Sequence, residues 1–258
     1  MFSRTLLLLY AALAYVLALA NIAYIVGFLA DFGVPKDIND GPVGPPWPAA
    51  AIDLGLVWFF GLHHSATARR WFKARWTRLI PPAAERATYL YMTAGMSALL
   101  VGLWRPIPVT VWQVESAVFS AAIVGLYLFT GAVMFAATFH FGHFGFFGVA
   151  QAWARFRGRD TRPGAFCARW LYGIVRHPIS LGWILLPWLT PHMTVGQMVF
   201  AVGVLSYVLA ATPFEERDLI AELGETYRAY RRRVPAFLPR ILPTEPDDEL
   251  FARPTRKD

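Results

Sequence analysis

Long hydrophobic runs separated by short polar loops dominate this chain. The first run, residues 6–32, exceeds the roughly 20 residues that a membrane-spanning helix needs. We predict further spans at residues 49–66, 87–103 and from 112 or 114 to 139. The last apolar region is a hairpin with a short arm, residues 179–189, and a longer arm, residues 196–212. The pattern predicts an all-α fold, a polytopic transmembrane helix bundle with five to six membrane segments including this short C-terminal helical hairpin.

Basic residues are concentrated in alternate loops, and this asymmetry predicts the orientation in the membrane. The loops after the second and fourth spans are rich in Arg and Lys, and so is the segment after the hairpin. The other loops carry only Lys36 and Arg105. Because cytoplasmic loops carry the excess of Lys and Arg, we expect the N- and C-termini to be cytoplasmic. The short arm of the hairpin is expected to span or to be re-entrant.

Composition indicates a membrane protein and excludes several other classes. Only 16% of the residues are charged, against roughly 25% in a soluble domain. The net charge is +7, but the basic residues adjoin the spans, so we expect a lipid bilayer as partner and no nucleic acid. The single cysteine, Cys167, excludes an intramolecular disulfide and a cysteine-based metal cluster. We predict one membrane domain over residues 1–242 and a disordered polar tail over residues 243–258.

Two charged motifs flank the C-terminal hairpin. Arg176, His177 and Pro178 precede it, and Glu215 and Glu216 follow it. Ionisable groups next to membrane segments are costly to keep there, so they are candidates for function. Pro178 suits the first position of a helix, where free N–H groups can bind an anion, and a carboxylate can balance a positive charge. The spacing also fits a topological role, in which Arg176 marks the membrane boundary and the glutamates belong to a solvated helix.

The residues around these motifs follow a known pattern. They are Tyr172, Arg176, His177, Pro178, Gly182, Glu215, Glu216, Leu219, Gly224, Tyr227, Tyr230, Val234 and Pro235. In this order and spacing they resemble the isoprenylcysteine carboxyl methyltransferase superfamily of integral-membrane methyltransferases. Ser180 departs from the pattern, since the superfamily usually has Tyr at this position.

The N-terminal half narrows this resemblance. Its motifs consist of His63, His64, Ser65, Arg69, Thr138, Phe139, His140 and His143. They resemble the NnrU-like branch of membrane proteins, and a chain with both halves is similar to the bacterial methanethiol S-methyltransferases. The resemblance implies S-adenosylmethionine as methyl donor, a small volatile thiol as acceptor and dimethyl sulfide as product. It also implies a multi-pass location in the bacterial inner (cytoplasmic) membrane.

On this resemblance we assign roles to particular residues. The predicted cofactor-binding residues are Tyr172, Arg176, His177, Pro178, Glu215, Glu216, Tyr227 and Gln151. The predicted catalytic residues, which would help to deprotonate the thiol, are Arg176, His140, His143 and His64. Methyl transfer of this kind requires no metal, and none is expected. The sequence leaves the oligomeric state open.

Two alternatives stay open. One is methylation of a lipid-borne acceptor, a phospholipid amine or a prenylcysteine, by a member of the same superfamily. The other is a haem-binding NnrU-like membrane protein without methyl transfer. His140 and His143 are three residues apart, which on a helix would place them on one face with the spacing of metal or haem ligands. The paired glutamates and the Tyr227 and Tyr230 motif argue against this second alternative.

Overall fold

The computed structural model describes residues 3–140, 142–159 and 168–239. Helices form most of these ranges. They are α1 (Arg4–Ala30), α2 (Pro46–Ala68), α3 (Arg70–Trp76), α4 (Glu85–Leu103), α5 (Ala117–Ala137), α6 (His143–Phe146), α7 (Val149–Phe156), α8 (Leu171–Ile174), α9 (Pro178–Leu185), α10 (Val195–Leu223) and α11 (Glu225–Arg233). Short 3-10 segments cover Pro82–Ala84 and Leu186–Trp188, and two short strands are β1 (Thr110–Gln113) and β2 (His192–Thr194). Cys167 and the predicted disordered tail, residues 243–258, lie outside the described residues.

Three helices, α1, α5 and α10, are long and apolar enough to cross a membrane. Only a minority of the residues in each is buried inside the protein, which suits helices that face lipid. The helices α2 and α4 have 23 and 19 residues, but they carry more polar side chains and pack between other helices. The prediction of a predominantly helical chain with long apolar helices is confirmed.

Local sequence determines where the long helices begin and end. Ser3 caps α1 and Thr194 caps α10, each by accepting a hydrogen bond from the backbone N–H three residues further on, at 3.1 and 3.2 Å. Gly224 ends α10 with a φ of 61°, a value that glycine adopts without strain. Pro213 lies inside α10, where it removes one donor from the helical hydrogen-bond ladder.

The long helices pack in the order α1, α4, α2, α10, α9 and α5, each against the next. Small residues of α1, Ala11, Ala14 and Ala18, are buried against Ala87 and Leu90 of α4, and they allow the two backbones to approach closely. A second core fills the opposite end of the bundle. Its buried side chains include Phe28, Val57, Leu100, Trp104, Tyr127, Leu186 and Phe200.

The start of the fourth predicted span differs from the structure. We expected helix from residue 112 or 114, but α5 begins at Ala117 and residues 110–113 form a strand. Pro106 and Pro108 precede this segment and cannot donate to a helix, and the β-branched residues at 109–111 favour an extended backbone. The fold is therefore not purely helical, because a small two-stranded sheet accompanies the helices.

The small sheet fastens the turn of the C-terminal hairpin to the connection between α4 and α5. Its strands are antiparallel, with Trp112 opposite Met193. Hydrogen bonds on either side extend the pairing, since Val195 N donates to Val109 O at 2.8 Å. The hairpin turn is thus held at the end of the bundle away from the charged motifs.

Candidate functional site

Arg176, His177 and Glu216 meet in one buried cluster. Arg176 donates to Glu216 Oε1 from Nε at 2.7 Å and from Nη2 at 2.6 Å, and His177 Nε2 lies 3.1 Å from the same oxygen. Arg231 Nε is 3.1 Å from Glu216 Oε2. The side chains of Arg176 and Glu216 are only 9% and 4% exposed. The hairpin therefore brings the two charged motifs together. We call Arg176, His177, Glu216 and Arg231 the Glu216 cluster.

The Arg176–Pro178 segment is also tied to the chain that follows α11. Arg176 N donates to Pro235 O at 2.8 Å, and His177 N donates to Ala236 O at 3.2 Å. The Arg176 side chain adds a hydrogen bond from Nη1 to Val234 O. All three nitrogens of this guanidinium group thus donate to protein acceptors. In this arrangement Arg176 joins the start of α9 to α10 and to the segment beyond α11.

Glu215 has a different environment from its neighbour. Its side chain is 57% exposed, with Oε2 3.8 Å from His177 Nδ1. Successive residues on a helix point about 100° apart, so Glu216 turns into the cluster while Glu215 faces the open side. Burial, with a smaller contribution from the Glu215 charge, raises the pKa of Tyr172 to about 12. Glu215 is therefore an accessible carboxylate beside an aromatic wall.

Aromatic residues form that wall. The Tyr172 ring stacks on His140 with centroids 4.6 Å apart and an angle of 28°. The Tyr230 hydroxyl donates to Tyr172 O at 2.6 Å. Tyr227, predicted to bind the cofactor, is buried in a cluster with Ala168 and Tyr230, and burial raises the pKa of its hydroxyl. Tyr227 therefore supports the site from behind, while Tyr172 and His140 lie at its edge.

The remaining predicted cofactor-binding residues, Pro178 and Gln151, lie on different helices. Pro178 is buried in the first turn of α9, as predicted. The first N–H of α9 with a partner within the helix is Leu181 N, which donates to His177 O at 2.8 Å. The backbone N–H groups before Leu181 have no such intrahelical partner, so the start of the helix can offer them to a ligand. Gln151 bonds locally, from Nε2 to Gly145 O at 3.0 Å, on the helix α7 that packs against α1. Its role stays a prediction.

His140 and His143 do not share a helix face, because the segment between them is not helical. The helix α5 ends at Ala137, and Gly142 with a φ of 81° separates the two histidines. Glycine adopts this left-handed conformation readily, and it redirects the chain. His140 consequently faces Tyr172, whereas His143 turns into a group of phenyl rings at the start of α6. Among the described residues, no group of three His, Cys, Asp or Glu is arranged to hold a metal.

His64 lies near the C-terminal end of α2. Its ring bonds to the Tyr89 hydroxyl, with Nε2 at 2.7 Å, and its Nδ1 atom is 3.3 Å from Thr93 Oγ1. The Phe60 ring stacks on it with centroids 5.6 Å apart. This histidine therefore links α2 to α4 through polar contacts within an otherwise apolar interface.

Two tyrosines that were not predicted as site residues contact residues of the N-terminal motifs. The Tyr89 hydroxyl on α4 lies 2.7 Å from His64 Nε2. The Tyr207 hydroxyl also bonds to Ser65 Oγ and to Gly61 O. A tyrosine within an apolar run is the signal that could have indicated them, because a buried hydroxyl requires a partner. Arg231 was also missed, since its neighbours form a run of exposed basic residues.

Comparison with known proteins identifies relatives over nearly the whole chain. Neither a family model nor a solved structure matches it. The chain is 40% identical to methanethiol S-methyltransferase 2 of Bradyrhizobium diazoefficiens, over 98% of each protein. It is 42% identical to the methanethiol S-methyltransferase of a Pseudomonas species, over 90% of each. It is 39% identical to that of Mycobacterium tuberculosis, over 92% of this chain and 97% of the relative.

These relatives match the chain over nearly its full length, because the matched regions cover nine tenths or more of this chain and of each relative. The chain therefore belongs to the methanethiol S-methyltransferase family.

Proposed function

We propose that this protein transfers a methyl group from S-adenosylmethionine to methanethiol and releases dimethyl sulfide. The observation that carries the proposal is the difference in burial and in ion pairing between Glu215 and Glu216. Glu216 is buried and paired with Arg176 and His177, while Glu215 remains accessible beside them. The buried contacts of Glu216 thus form a fixed support, and the Glu215 carboxylate beside it is accessible. A positively charged methyl donor requires such an accessible carboxylate.

The residues of the site fit S-adenosylmethionine. Its sulfonium and ammonium groups are positive and its ribose offers hydroxyl donors, all of which suit the Glu215 carboxylate. Its own carboxylate suits the free N–H groups at the start of α9, which follow His177. Tyr172 and His140 offer flat rings at the edge of the site. Arg176, Glu216, Pro178 and Tyr227 then position these groups from behind.

The chemistry benefits from a site inside a helix bundle. S-Adenosylmethionine supplies an electrophilic methyl group on a positively charged sulfur. A thiolate is the acceptor, so two opposite charges disappear as the new carbon–sulfur bond forms. A pocket that excludes water favours this step, because the separated charges require more solvation than the transition state does. The protein's residues therefore need to hold the donor, exclude water and remove the proton of the thiol.

The proposed setting is the cytoplasmic end of a multi-pass protein in a bacterial inner membrane. The helices α1, α5 and α10 supply three candidate spans, and α2 and α4 would add two more. The helix α9 and the following 3-10 turn form an apolar segment of 11 residues, Pro178–Trp188, about half a span in length. The basic loops favour cytoplasmic termini. The Glu216 cluster would then face the compartment that supplies the donor.

The production of dimethyl sulfide tests this function. A host expressing the protein and fed methanethiol should release dimethyl sulfide into the headspace well above the empty-vector control. The purified protein should require S-adenosylmethionine for the same reaction. Failure of both, with verified expression, would reject the proposal. Methylation of phospholipid amines or prenylcysteine instead would indicate a lipid-borne acceptor, and a Soret absorption band would indicate a haem protein.

A further inference from the structure

A cavity of about 360 Å³ lies between α10 and α11. Ile220 of α10 lines it together with three arginines of α11, Arg228, Arg231 and Arg232. Each of these arginine side chains is more than half exposed, so the cavity is open to the outside. Guanidinium groups bind phosphate through paired N–H donors, and we call this site the arginine cavity.

Positive charge exceeds negative charge around the arginine cavity. The nine residues of α11 include four arginines and one glutamate, Glu225. That carboxylate is shared, since Arg232 Nη2 is 2.8 Å from its Oε1 atom and Arg228 Nη1 is 3.5 Å from its Oε2 atom. Arg231 contacts Glu216, a carboxylate that the other members of the Glu216 cluster also share. An anion that enters the cavity therefore meets an excess of cations.

The end of a helix accounts for only some of these arginines. Cations in the last turn of a helix interact favourably with its dipole, and Arg231 and Arg232 occupy the last turn of α11. Arg228 lies one turn earlier and lines the same cavity. Because it is three and four residues before the other two, all three project from one face of the helix. The cavity therefore collects cations from two successive turns.

The arginine cavity lies close to where the chain leaves the predicted membrane region. Beyond α11, Pro235 O accepts a hydrogen bond from Arg176 N at 2.8 Å, two residues before the apolar segment Pro178–Trp188. Trp170, before α8, and Leu238, after α11, are 71% and 81% exposed. Large apolar side chains with this exposure, accompanied by basic residues, are typical of a surface that contacts a membrane.

We propose that the arginine cavity binds the headgroup phosphate of an anionic phospholipid. The three guanidinium groups neutralise the phosphate, and Ile220 packs against the glycerol carbons that follow it. In the proposed orientation this end of the bundle faces the cytoplasmic leaflet, whose anionic lipids attract arginines next to spans. Trp170 and Leu238 would enter the apolar layer that carries such lipids, and this contact distinguishes a lipid from free inorganic phosphate.

Binding of this lipid should also strengthen binding of the methyl donor. Arg231 lines the arginine cavity, and its Nε atom is 3.1 Å from Glu216 Oε2. A phosphate in the cavity offsets positive charge next to the site that is proposed to hold a positively charged donor. S-Adenosylmethionine should therefore bind more tightly when the lipid is present. This consequence rests on the proposed function, whereas binding of the lipid does not.

Binding of phosphatidylglycerol to the purified full-length protein in neutral detergent tests the site, with native mass spectrometry as the measurement. The double variant Arg228→Gln/Arg232→Gln should weaken binding of the first lipid about 30-fold, the size expected for two arginines beside an anionic lipid. The single variant Arg228→Gln should weaken it about fivefold. Thermal unfolding should stay at the wild-type midpoint, because the exposed ion pairs that these changes break contribute little to stability.

The double variant Arg75→Gln/Arg78→Gln is the matched control. It removes two exposed arginines at the same end of the bundle, where Arg69 contacts Asp218 of α10 at 2.6 Å, and it leaves the arginine cavity intact. This control should bind phosphatidylglycerol like the wild type, and inorganic phosphate at the same concentration should not displace the lipid. Equal losses in both double variants, wild-type binding in the cavity variant, or displacement by phosphate would each overturn the proposal.

A second measurement, in reconstituted vesicles, tests the link to the donor site. For the wild type, the KM for S-adenosylmethionine should be several-fold lower in equal parts phosphatidylcholine and phosphatidylglycerol than in phosphatidylcholine alone. The control double variant should keep this difference, and the cavity variant should lose it. A wild-type KM that does not depend on the lipid would overturn the link. Absence of dimethyl sulfide in both kinds of vesicle would instead reject the proposed function, because lipid binding is measured without turnover.

Discussion

At the scale of single residues, the adjacent Glu215 and Glu216 show how a helix separates two identical side chains. Glu216 receives contacts from Arg176, His177 and Arg231, and its carboxylate is almost completely buried. Glu215 is more than half exposed. A buried carboxylate with several cationic partners stabilises the fold, and an accessible one is free for a ligand. The two positions should therefore respond differently to the same substitution.

Glu216→Gln should destabilise the protein strongly. It removes the negative charge that Arg176 and His177 share, and breaking a buried ion pair in this way costs about 3–5 kcal/mol. We expect a clear drop in the midpoint of thermal unfolding, measured in detergent.

Glu215→Gln is the matched substitution. It should leave the unfolding midpoint close to that of the wild type and weaken S-adenosylmethionine about tenfold or more, since hydrogen bonds to charged groups contribute about 1.5–3 kcal/mol. Equal unfolding midpoints for both variants, or unchanged affinity in Glu215→Gln, would contradict this division of roles.

The sequence could predict that these motifs meet, but not how each side chain is used. A hairpin of two apolar arms must return the chain to its starting side, so Arg176 and the glutamates were expected to be close. Which glutamate is buried depends on the rotation of α10 against α9, which a single sequence does not specify. The contact between Tyr89 and His64 likewise joins residues 25 positions apart, which a single sequence does not reveal.

At the scale of elements, close helix contacts depend on particular glycines. A Cβ atom placed on Gly61 of α2 would lie 2.6 Å from the Tyr207 ring of α10. That ring is held by hydrogen bonds from its hydroxyl to Gly61 O and with Ser65, so it has little freedom to move. The contact therefore fixes the separation of two helices that contribute to the site.

Gly61→Ala should destabilise the protein, because overpacking costs about 1–3 kcal/mol, and it should also lower activity through Tyr207. Gly55→Ala on the same helix is the control. An added Cβ there meets nothing within 4 Å, and alanine in a helix is favoured over glycine by about 0.5–1 kcal/mol. Thermal unfolding in detergent should rank Gly55→Ala at or above the wild type and Gly61→Ala below it. The reverse order would show that this contact does not limit packing.

Hydrophobic length predicted most long helices to within a few residues, because an apolar run in a membrane protein has few alternatives to helix. Short elements were harder to predict from the sequence. The strand β1 competes with the start of α5, and its pairing with β2 involves residues about 80 positions apart in the sequence. The break between His140 and His143 depends on the left-handed conformation of Gly142, which the residue type permits but does not require.

At the scale of the whole molecule, one small sheet and one charged cluster lie at opposite ends of the bundle. The basic loops predict that the cluster end is cytoplasmic. Val43 lies between α1 and α2 and is 66% exposed, and Arg157 is exposed after α7. These two positions should therefore lie on opposite sides of the membrane.

Single cysteines can test this orientation in the full-length protein. In a Cys167→Ser background, Val43→Cys should react with a membrane-impermeant maleimide in intact cells. Arg157→Cys should react only after the membrane is permeabilised. Labelling of both positions from outside, or of Arg157→Cys alone, would contradict the proposed topology.

Pro213 gives the helix α10 two mechanically distinct parts. Its missing N–H leaves the carbonyl four residues earlier without a helical donor, so bending is easiest at this point. The part before it is anchored, since Gln197 Nε2 donates to Leu29 O and Pro187 O, both at 3.2 Å. The part after it carries both glutamates and leads into α11. The contacts of the Glu216 cluster, rather than the helical hydrogen-bond ladder alone, therefore fix the direction in which this charged end points.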